Sequence, residues 1–202
     1  MSGRVLVVRH GRTAWNRERF LGRVDVDLDE VGEQQARAVL GLLSAFAVDQ
    51  IQVSPLRRAL ATAAPLAAQR GLPALVRPEL SELDCGQWQG QLKNRPDAKI
   101  SKRDPELALP GGESIGDASR RVAPAAVEVT AQATAGRSVV VVGHYLVNQL
   151  LVGGLLGLTI AEVLRSNTYR PPPGSAYELV MTGGGWRPVG YVTALVEGRA
   201  AS

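Results

Sequence analysis

The order of predicted elements indicates an α/β protein, a three-layer α/β/α sandwich built around a mostly parallel central sheet. Short β-branched runs alternate with segments that show helical spacing of apolar residues, which is typical of this class. The run SVVVV at 138–142 is apolar throughout, as expected for a strand that a parallel sheet buries on both faces. The 202 residues, 45% of them hydrophobic, suffice for one domain with a substantial core.

The first strand and the first helix are separated by a glycine turn. Arg4–Val8 is a β-branched run that predicts a buried strand, and the residues RHG at 9–11 follow it directly. Glu33–Phe46 places its apolar residues on one helical face, and Asp29 is a suitable N-cap for that helix.

The next segments repeat the alternation. Ile51–Ser54 predicts a second strand and Leu56–Gln69, which is rich in alanine, predicts a second helix. Proline is favoured where a helix begins and glycine where one ends, so Pro55 and Gly71 mark the two ends of this helix. Ala74–Val76 predicts a short third strand.

The C-terminal half shows the same pattern and then two late strands. Ser114–Thr134 has helical spacing, Ser138–Val142 is the clearest strand in the chain, and Leu146–Leu156 predicts an apolar helix. Ala176–Met181 and Val189–Thr193 predict strands near the end of the chain. These segments complete an α/β order along the sequence.

One stretch breaks the rhythm. Residues Glu79–Gly112 are polar and rich in turn residues without a clear period, which predicts an insertion that caps one end of the sheet. We therefore expect one domain over residues 1–202 with a cap insertion at about 79–112, and a frayed tail at Glu197–Ser202.

Composition narrows the cellular setting and the partners. No apolar run approaches the roughly 18 residues that cross a bilayer, the first residues do not resemble a secretion signal, and Cys85 is the single cysteine. These features predict a cytoplasmic protein without membrane contact. The net charge of +4 permits an anionic substrate. Nucleic-acid binding is not expected, because few aromatic residues accompany the arginines that follow the first strand. Those arginines are Arg12, Arg17, Arg19 and Arg23. The oligomeric state stays open, and a homodimer is possible.

Both histidines of the chain follow strand candidates. His10 comes after the first strand and His144 after the strand at 138–142. Ligands of open α/β sheets bind beyond the carboxyl ends of the strands, so the two imidazoles would meet if their strands are neighbours. A single histidine at such a position is usually structural; two equivalent positions favour a functional site.

Arginines occupy similar positions. Arg9 precedes His10, and Arg57 and Arg58 lie in the first turn of the second helix, where the helix dipole disfavours cations. A bound anion explains them, although we expect at least one of the pair to point to solvent. Two histidines, two arginines and an acid from the cap can carry out phosphoryl transfer through histidine, with Glu82 as the candidate acid.

Five motifs in order resemble the phosphoglycerate-mutase-like branch of the histidine phosphatase superfamily, in its compact phosphatase form. The resemblance runs nearly end to end. The motifs are RHGRT at 9–13 with Asn16; FLGR at 20–23 with Asp27 and Leu28; SPL at 54–56 with Arg58, Ala59, Thr62 and Ala63; LSE at 80–82 with Gly86, Trp88 and Gly90; and PGGES at 110–114 with Gly143 and His144.

The resemblance implies the role of each site residue. His10 would be the nucleophile, with Glu82 as proton donor. Arg9, Arg58 and His144 would form the phosphate pocket. Water would then hydrolyse the phosphohistidine without a metal. The implied activity is hydrolysis of a small phosphorylated metabolite, and the residues expected to bind that substrate are Asn16, Arg12, Phe20, Leu21, Gly22, Arg23 and Tyr145.

Three residues depart from the family pattern. Arg12 stands where the family usually has Glu or Gln, and a cation near the rim of the pocket could alter substrate choice toward an acidic or more highly phosphorylated molecule. Tyr145 follows His144 where small residues are common, so its ring would narrow the site or pack against the helix. Asn148 stands where an arginine is frequent. No departure removes a catalytic group.

Other functions remain as alternatives. A phosphoglycerate-type mutase uses the same phosphohistidine, but such mutases are generally longer than 202 residues. A catalytically inactive binding module would not need the intact catalytic set. The GESIG run at 112–116 matches a hydrolase nucleophile elbow but lacks a preceding strand, so Ser114 and Asp117 predict a helix N-cap instead. No metal centre or cofactor is expected, because zinc-ligand spacing, a Walker A loop and a dinucleotide motif are all missing.

Overall fold

A six-stranded mixed sheet forms the centre of the protein in a computed structural model that describes residues 2–16, 18–94, 104–166 and 169–192. The spatial order is β3-β2-β4-β1-β5-β6, with β1 to β4 mutually parallel and the last two strands antiparallel. The strands are β1 (Arg4–Arg9), β2 (Gln50–Val53), β3 (Ala74–Val76), β4 (Ser138–Gly143), β5 (Ala176–Thr182) and β6 (Gly185–Val192).

Helices cover both faces of this sheet and confirm the three-layer prediction. Their bounds are α1 (Glu30–Leu43), α2 (Arg57–Arg70), α3 (Ile115–Thr134), α4 (Tyr145–Leu155) and α5 (Ile160–Arg165), with 3₁₀ turns at Pro78–Leu80 and Gly86–Trp88. The sequence predicted the first four within a few residues. It missed α5, a six-residue helix that begins with a capping box between Thr159 and Glu162.

Alternation along the central strands creates two separate cores. Val5 and Val7 of β1 pack with α3 and α4, whereas Leu6 and Val8 pack with α1 and α2. The residues of β4 divide in the same way, and all of its side chains are buried. Burial on both faces is the reason that β4 reads as a continuous apolar run.

The predicted helix boundaries have the expected local chemistry. The carboxylate of Asp29 accepts from the amide of Gly32 at the start of α1. Ser114 and Asp117 form a reciprocal capping box at the start of α3, so Ser114 is a cap rather than a nucleophile. Gly71 ends α2 in the left-handed conformation that glycine adopts without strain.

The predicted cap insertion is described in part. Its first section begins within the 3₁₀ turn Pro78–Leu80 and contains the turn Gly86–Trp88, and residues 95–103 lie outside the described residues. The predicted tail at Glu197–Ser202, Thr193 of the predicted last strand and Arg17 also lie outside them. Within the described ranges, no helix is long and apolar enough to cross a membrane.

A close backbone contact ties the turn after β1 to α1. A Cβ on Gly11 would collide with the carbonyl of Gly32, and a Cβ on Gly32 would collide with the carbonyl of Arg12. The two glycines therefore let the turn that carries His10 lie directly against the first turn of the helix. This contact holds the segment after β1 in place.

We expect Gly32→Ala to lower the free energy of unfolding by about 1–3 kcal/mol, because the added methyl group must displace backbone. Gly41→Ala in the same helix is the matched control. Nothing lies within 4 Å of a Cβ at Gly41, so alanine there should stabilise by about 1 kcal/mol through helix propensity. Urea denaturation measures both. Equal effects of the two substitutions would contradict the proposed contact.

Candidate active site

The pairing of β1 with β4 brings the two histidines together. The strands are parallel neighbours, with Arg9 opposite Gly143, so the next residue of each strand emerges at the same edge of the sheet. The rings of His10 and His144 have centroids 5.1 Å apart, and both side chains are buried. The predicted convergence is confirmed.

The ring of His10 is oriented by its own backbone turn. Nδ1 lies 2.7 Å from the carbonyl oxygen of Gly11, which accepts a hydrogen bond and therefore holds the proton on Nδ1. No described residue bonds Nε2, and His10 lines the cavity considered below. Burial, followed by the charges of Arg58 and Arg9, lowers the pKa of His10 well below its ordinary value. The ring is therefore a neutral imidazole with a free nucleophilic nitrogen.

His144 is fully buried beside His10 and does not itself line the cavity. Its Nε2 is 2.7 Å from the hydroxyl of Ser54, at the end of β2. Its Nδ1 has no partner among the described residues. Burial, then the positive charge of Arg58, lowers the pKa of His144 as well. A buried, unpaired ring nitrogen is costly unless a ligand satisfies it.

Two guanidinium groups border His10. Arg58, in the first turn of α2, donates to the carbonyls of Gly22 (2.8 Å) and Val24 (2.7 Å), and burial lowers its pKa to about 10. Arg9 donates to a backbone carbonyl and lies 4.9 Å from the ring centroid of Tyr145; burial lowers its pKa too. Arg57 points outward as expected and pairs with two aspartates.

The side chain of Glu82, from the cap, lies against the N-terminus of α4. Its carboxylate accepts from the amides of Leu83 (2.9 Å), Leu146 (3.2 Å) and Val147 (3.3 Å). The helix dipole favours a negative charge at this end. The carboxylate is thus held facing the cavity beside His10 and the arginines, where an acid or base is needed.

Asn16 supplies a further donor. Its Oδ1 accepts from the amide of Thr13 at 2.8 Å, and this fixes the orientation of the carboxamide. Its Nδ2 is buried without a partner among the described residues. The backbone carbonyl of Asn16 accepts from Nζ of Lys93 at 2.7 Å. The amide group can therefore bind an anion next to His10.

A cavity of about 390 Å³ collects these groups, a size common for small-molecule sites. Nine predicted site residues line it: Arg9, His10, Asn16, Phe20, Leu21, Gly22, Arg58, Glu82 and Tyr145. Sequence reasoning missed Lys93, Arg170, Gln149 and Leu164, which also line it. They lie outside the motifs along the chain, so no local signal marks them.

Three predicted site residues do not line the cavity: the fully buried His144, and two residues expected to contact substrate, Arg12 and Arg23. Arg12 pairs with Asp29 on the outer side of the turn, at 2.8 Å. Arg23 turns towards the cap, where it donates to the backbone of Glu82 and pairs with Asp84 and Glu113. In both cases a nearby carboxylate holds the guanidinium away from the cavity, so a direct contact with substrate is not supported.

A further arginine, which the sequence did not indicate, holds the loop of Glu82. Arg121 of α3 donates to the carbonyls of Glu79 (2.6 Å) and Ser81 (2.9 Å). Its guanidinium also pairs with Glu113, and that carboxylate accepts from the amide of Asp84. The backbone on both sides of Glu82 is thereby fixed.

The remaining departures have structural explanations. Asn148 donates to the carbonyl of Val8 at 2.9 Å and joins α4 to β1. The ring of Tyr145 packs against Arg9 and lines the cavity. Of the two outcomes predicted for this ring, the structure therefore favours a narrower site.

Cys85 is buried, and burial raises the pKa of its thiol to about 12, so it behaves as a small apolar residue. No group of three or more potential metal ligands occurs in the described ranges.

Two histidines, two arginines and a carboxylate thus meet at one edge of an α/β sheet, an arrangement that can support phosphoryl transfer. Residues 5–193 match the histidine phosphatase superfamily (branch 1). The chain belongs to this superfamily.

Several known proteins similar to this chain are phosphatases. A glucosyl-3-phosphoglycerate phosphatase of Mycolicibacterium vanbaalenii is 35% identical over 78% of this chain and 76% of its own length. Phosphoserine phosphatase 1 of Hydrogenobacter thermophilus is 30% identical over 79% of each chain. The native structure of a mycobacterial glucosyl-3-phosphoglycerate phosphatase superposes with a TM-score of 0.83, at 29% identity, over 96% of this chain and 100% of that one.

These findings support the predicted class of enzyme. The chain is a phosphomonoester hydrolase of the histidine phosphatase fold, and the mutase alternative is less favoured. The relatives act on small phosphorylated substrates, which agrees with the predicted partner.

The lowered pKa values of the histidines predict how stability varies with pH in the absence of ligand. Below about pH 6.5 the unfolded chain takes up protons that the folded chain refuses, so stability falls as pH falls towards the folded pKa values. Each histidine can contribute up to about 1.4 kcal/mol per pH unit.

Urea denaturation of the protein in phosphate-free buffer between pH 6.5 and pH 5 measures this slope. We expect His10→Gln and His144→Gln each to reduce it, whatever their effect on stability at pH 7. A slope that neither substitution changes would contradict the neutral, buried state of the two rings.

Proposed function

We propose that the enzyme hydrolyses a small phosphomonoester through a phosphohistidine at His10. The observation that carries the proposal is the free Nε2 of His10 beside the buried Arg58 and the half-buried Arg9, with the proton of the ring held on Nδ1 by the carbonyl of Gly11. A neutral imidazole in this state is a nucleophile. The arginines supply the positive charge that a phosphoryl transition state requires.

The substrate phosphate lies among Arg9, Arg58, Asn16 and His144 in this proposal. The orphaned Nδ2 of Asn16 and Nδ1 of His144 support the assignment, since phosphate oxygens would satisfy both. Phe20, Leu21, Gly22 and Tyr145 line the same cavity and contact the leaving group.

The reaction proceeds in two steps. Nε2 of His10 attacks phosphorus, the bond from phosphorus to the leaving oxygen breaks, and Glu82 donates a proton to that oxygen. Glu82 then removes a proton from water, which attacks the phosphohistidine; the P–N bond breaks and inorganic phosphate leaves. The arginines neutralise the charge throughout, so the scheme does not require a metal.

The similar proteins and the single cysteine bear on the class of substrate and on the cellular location. The two named relatives act on glucosyl-3-phosphoglycerate and phosphoserine, and we place this substrate in the same broad class of small phosphorylated metabolites. A buried, unpaired cysteine favours a cytoplasmic location.

Hydrolysis of para-nitrophenyl phosphate in the presence of a chelator tests the proposed function. We expect turnover by the wild-type enzyme and none by His10→Ala, because no other group can accept the phosphoryl group. Equal rates for the two proteins would refute the assignment of the nucleophile.

The role of Glu82 depends on the leaving group. Glu82→Gln should slow alkyl phosphates far more than para-nitrophenyl phosphate, whose leaving oxygen needs little protonation; general acids contribute about 10²–10⁴-fold. The matched control is Glu106→Gln, which removes an exposed carboxylate paired with Arg120 outside the cavity. Equal losses on both substrates would count against Glu82 as the acid.

A further inference from the structure

The cavity contains positive charge beyond the phosphate pocket. Arg170 lines it, and its guanidinium donates to the hydroxyl of Tyr145 (3.1 Å) and to the carbonyl of Leu164 (3.2 Å). Lys93 lines it as well and donates to the carbonyl of Asn16. Both cations are therefore held by neutral oxygen atoms.

Neither cation forms an ion pair with an acid among the described residues. By contrast, nearby arginines that serve the structure pair with carboxylates, as Arg23 and Arg121 do with Glu113. Burial, and then the charge of Arg9, lowers the pKa of Lys93, as expected for a cation in an already positive environment. The guanidinium of Arg170 retains further N–H groups that can bind a ligand.

A charge count of the cavity leaves at least one positive charge unmatched, and two when Glu82 is protonated as the general acid. Its described walls carry four cations, Arg9, Arg58, Lys93 and Arg170, and one carboxylate, Glu82. A phosphomonoester contributes close to two negative charges at neutral pH. Apolar side chains such as Trp88 and Leu109 form much of the remaining wall, which strengthens electrostatic interactions there.

We propose that Arg170, positioned by Tyr145, binds a carboxylate of the substrate, so that the enzyme selects phosphomonoesters that are also carboxylic acids. This inference rests on the proposed function, because it concerns the leaving group of the same reaction. The hydroxyl of Tyr145 holds Arg170 while its ring contacts Arg9. The tyrosine thus joins the phosphate pocket to the second anion subsite, and Lys93 adds charge on the cavity wall.

A pair of substrates that differ mainly in the carboxylate provides the test. 3-Phosphoglycerate and glycerol 3-phosphate have the same number of carbons and both release a primary alcohol. We expect kcat/KM to be about tenfold to a hundredfold higher for 3-phosphoglycerate, the range for a hydrogen bond to a charged group. A ratio near one would overturn the proposal.

Substitutions assign the preference to Arg170. Arg170→Gln should reduce the ratio about tenfold, mainly because the carboxylated substrate then has a higher KM, and Arg170→Lys should restore part of the ratio. Tyr145→Phe keeps the ring against Arg9 but removes the hydroxyl, so it should reduce the ratio by a smaller factor. If Arg170 has only a structural role, its substitution should lower kcat/KM equally for both substrates and leave the ratio unchanged. That result would refute the role of Arg170 in binding the carboxylate.

The matched control is Arg165→Gln on α5, an exposed arginine that does not line the cavity. We expect it to leave the ratio and the turnover of para-nitrophenyl phosphate at their wild-type values. Turnover that depends on His10 but shows no preference for the carboxylated substrate would refute the carboxylate subsite and leave the proposed function standing. Loss of His10 dependence would defeat the proposed function itself.

Discussion

The parallel pairing of β1 with β4 is the constraint on which the rest of the site depends. It places Arg9 opposite Gly143, so that His10 and His144 leave the sheet at the same edge with ring centroids 5.1 Å apart. The pairing is stable because both strands are apolar on both faces and each face is covered by helices. The proposed phosphate pocket is therefore built from backbone positions that the two cores hold in place.

Burial of this edge determines its electrostatics. Burial of His10 among arginines lowers its pKa and keeps the proposed nucleophile neutral, whereas the arginines retain their charge even with lowered pKa values. Such an arrangement is destabilising without a ligand, because like charges face one another. A dianionic phosphate reverses that cost, so the charges that weaken the empty protein provide its affinity for substrate.

Much of the fold and the positions of many candidate site residues could be predicted, because the relevant signals are local. Apolar periodicity marks the strands and long helices, and the positions directly after β1 and β4 mark the histidines. The short α5 was missed, since six residues show too little periodicity. The positions of Arg12 and Arg23 were not predictable, because carboxylates distant in sequence hold them. The same reason hid Arg170 and Lys93, which reach the cavity only through tertiary packing.

Trapping the intermediate tests most directly whether the phosphoryl group passes through His10. The enzyme is mixed with excess substrate, quenched within its first turnovers in alkali, where a P–N bond survives, and digested for mass spectrometry. We expect a phosphoryl group on His10 in the peptide that contains this residue. A phosphoryl group on another side chain, or product formation with no labelled peptide at any time, would contradict it.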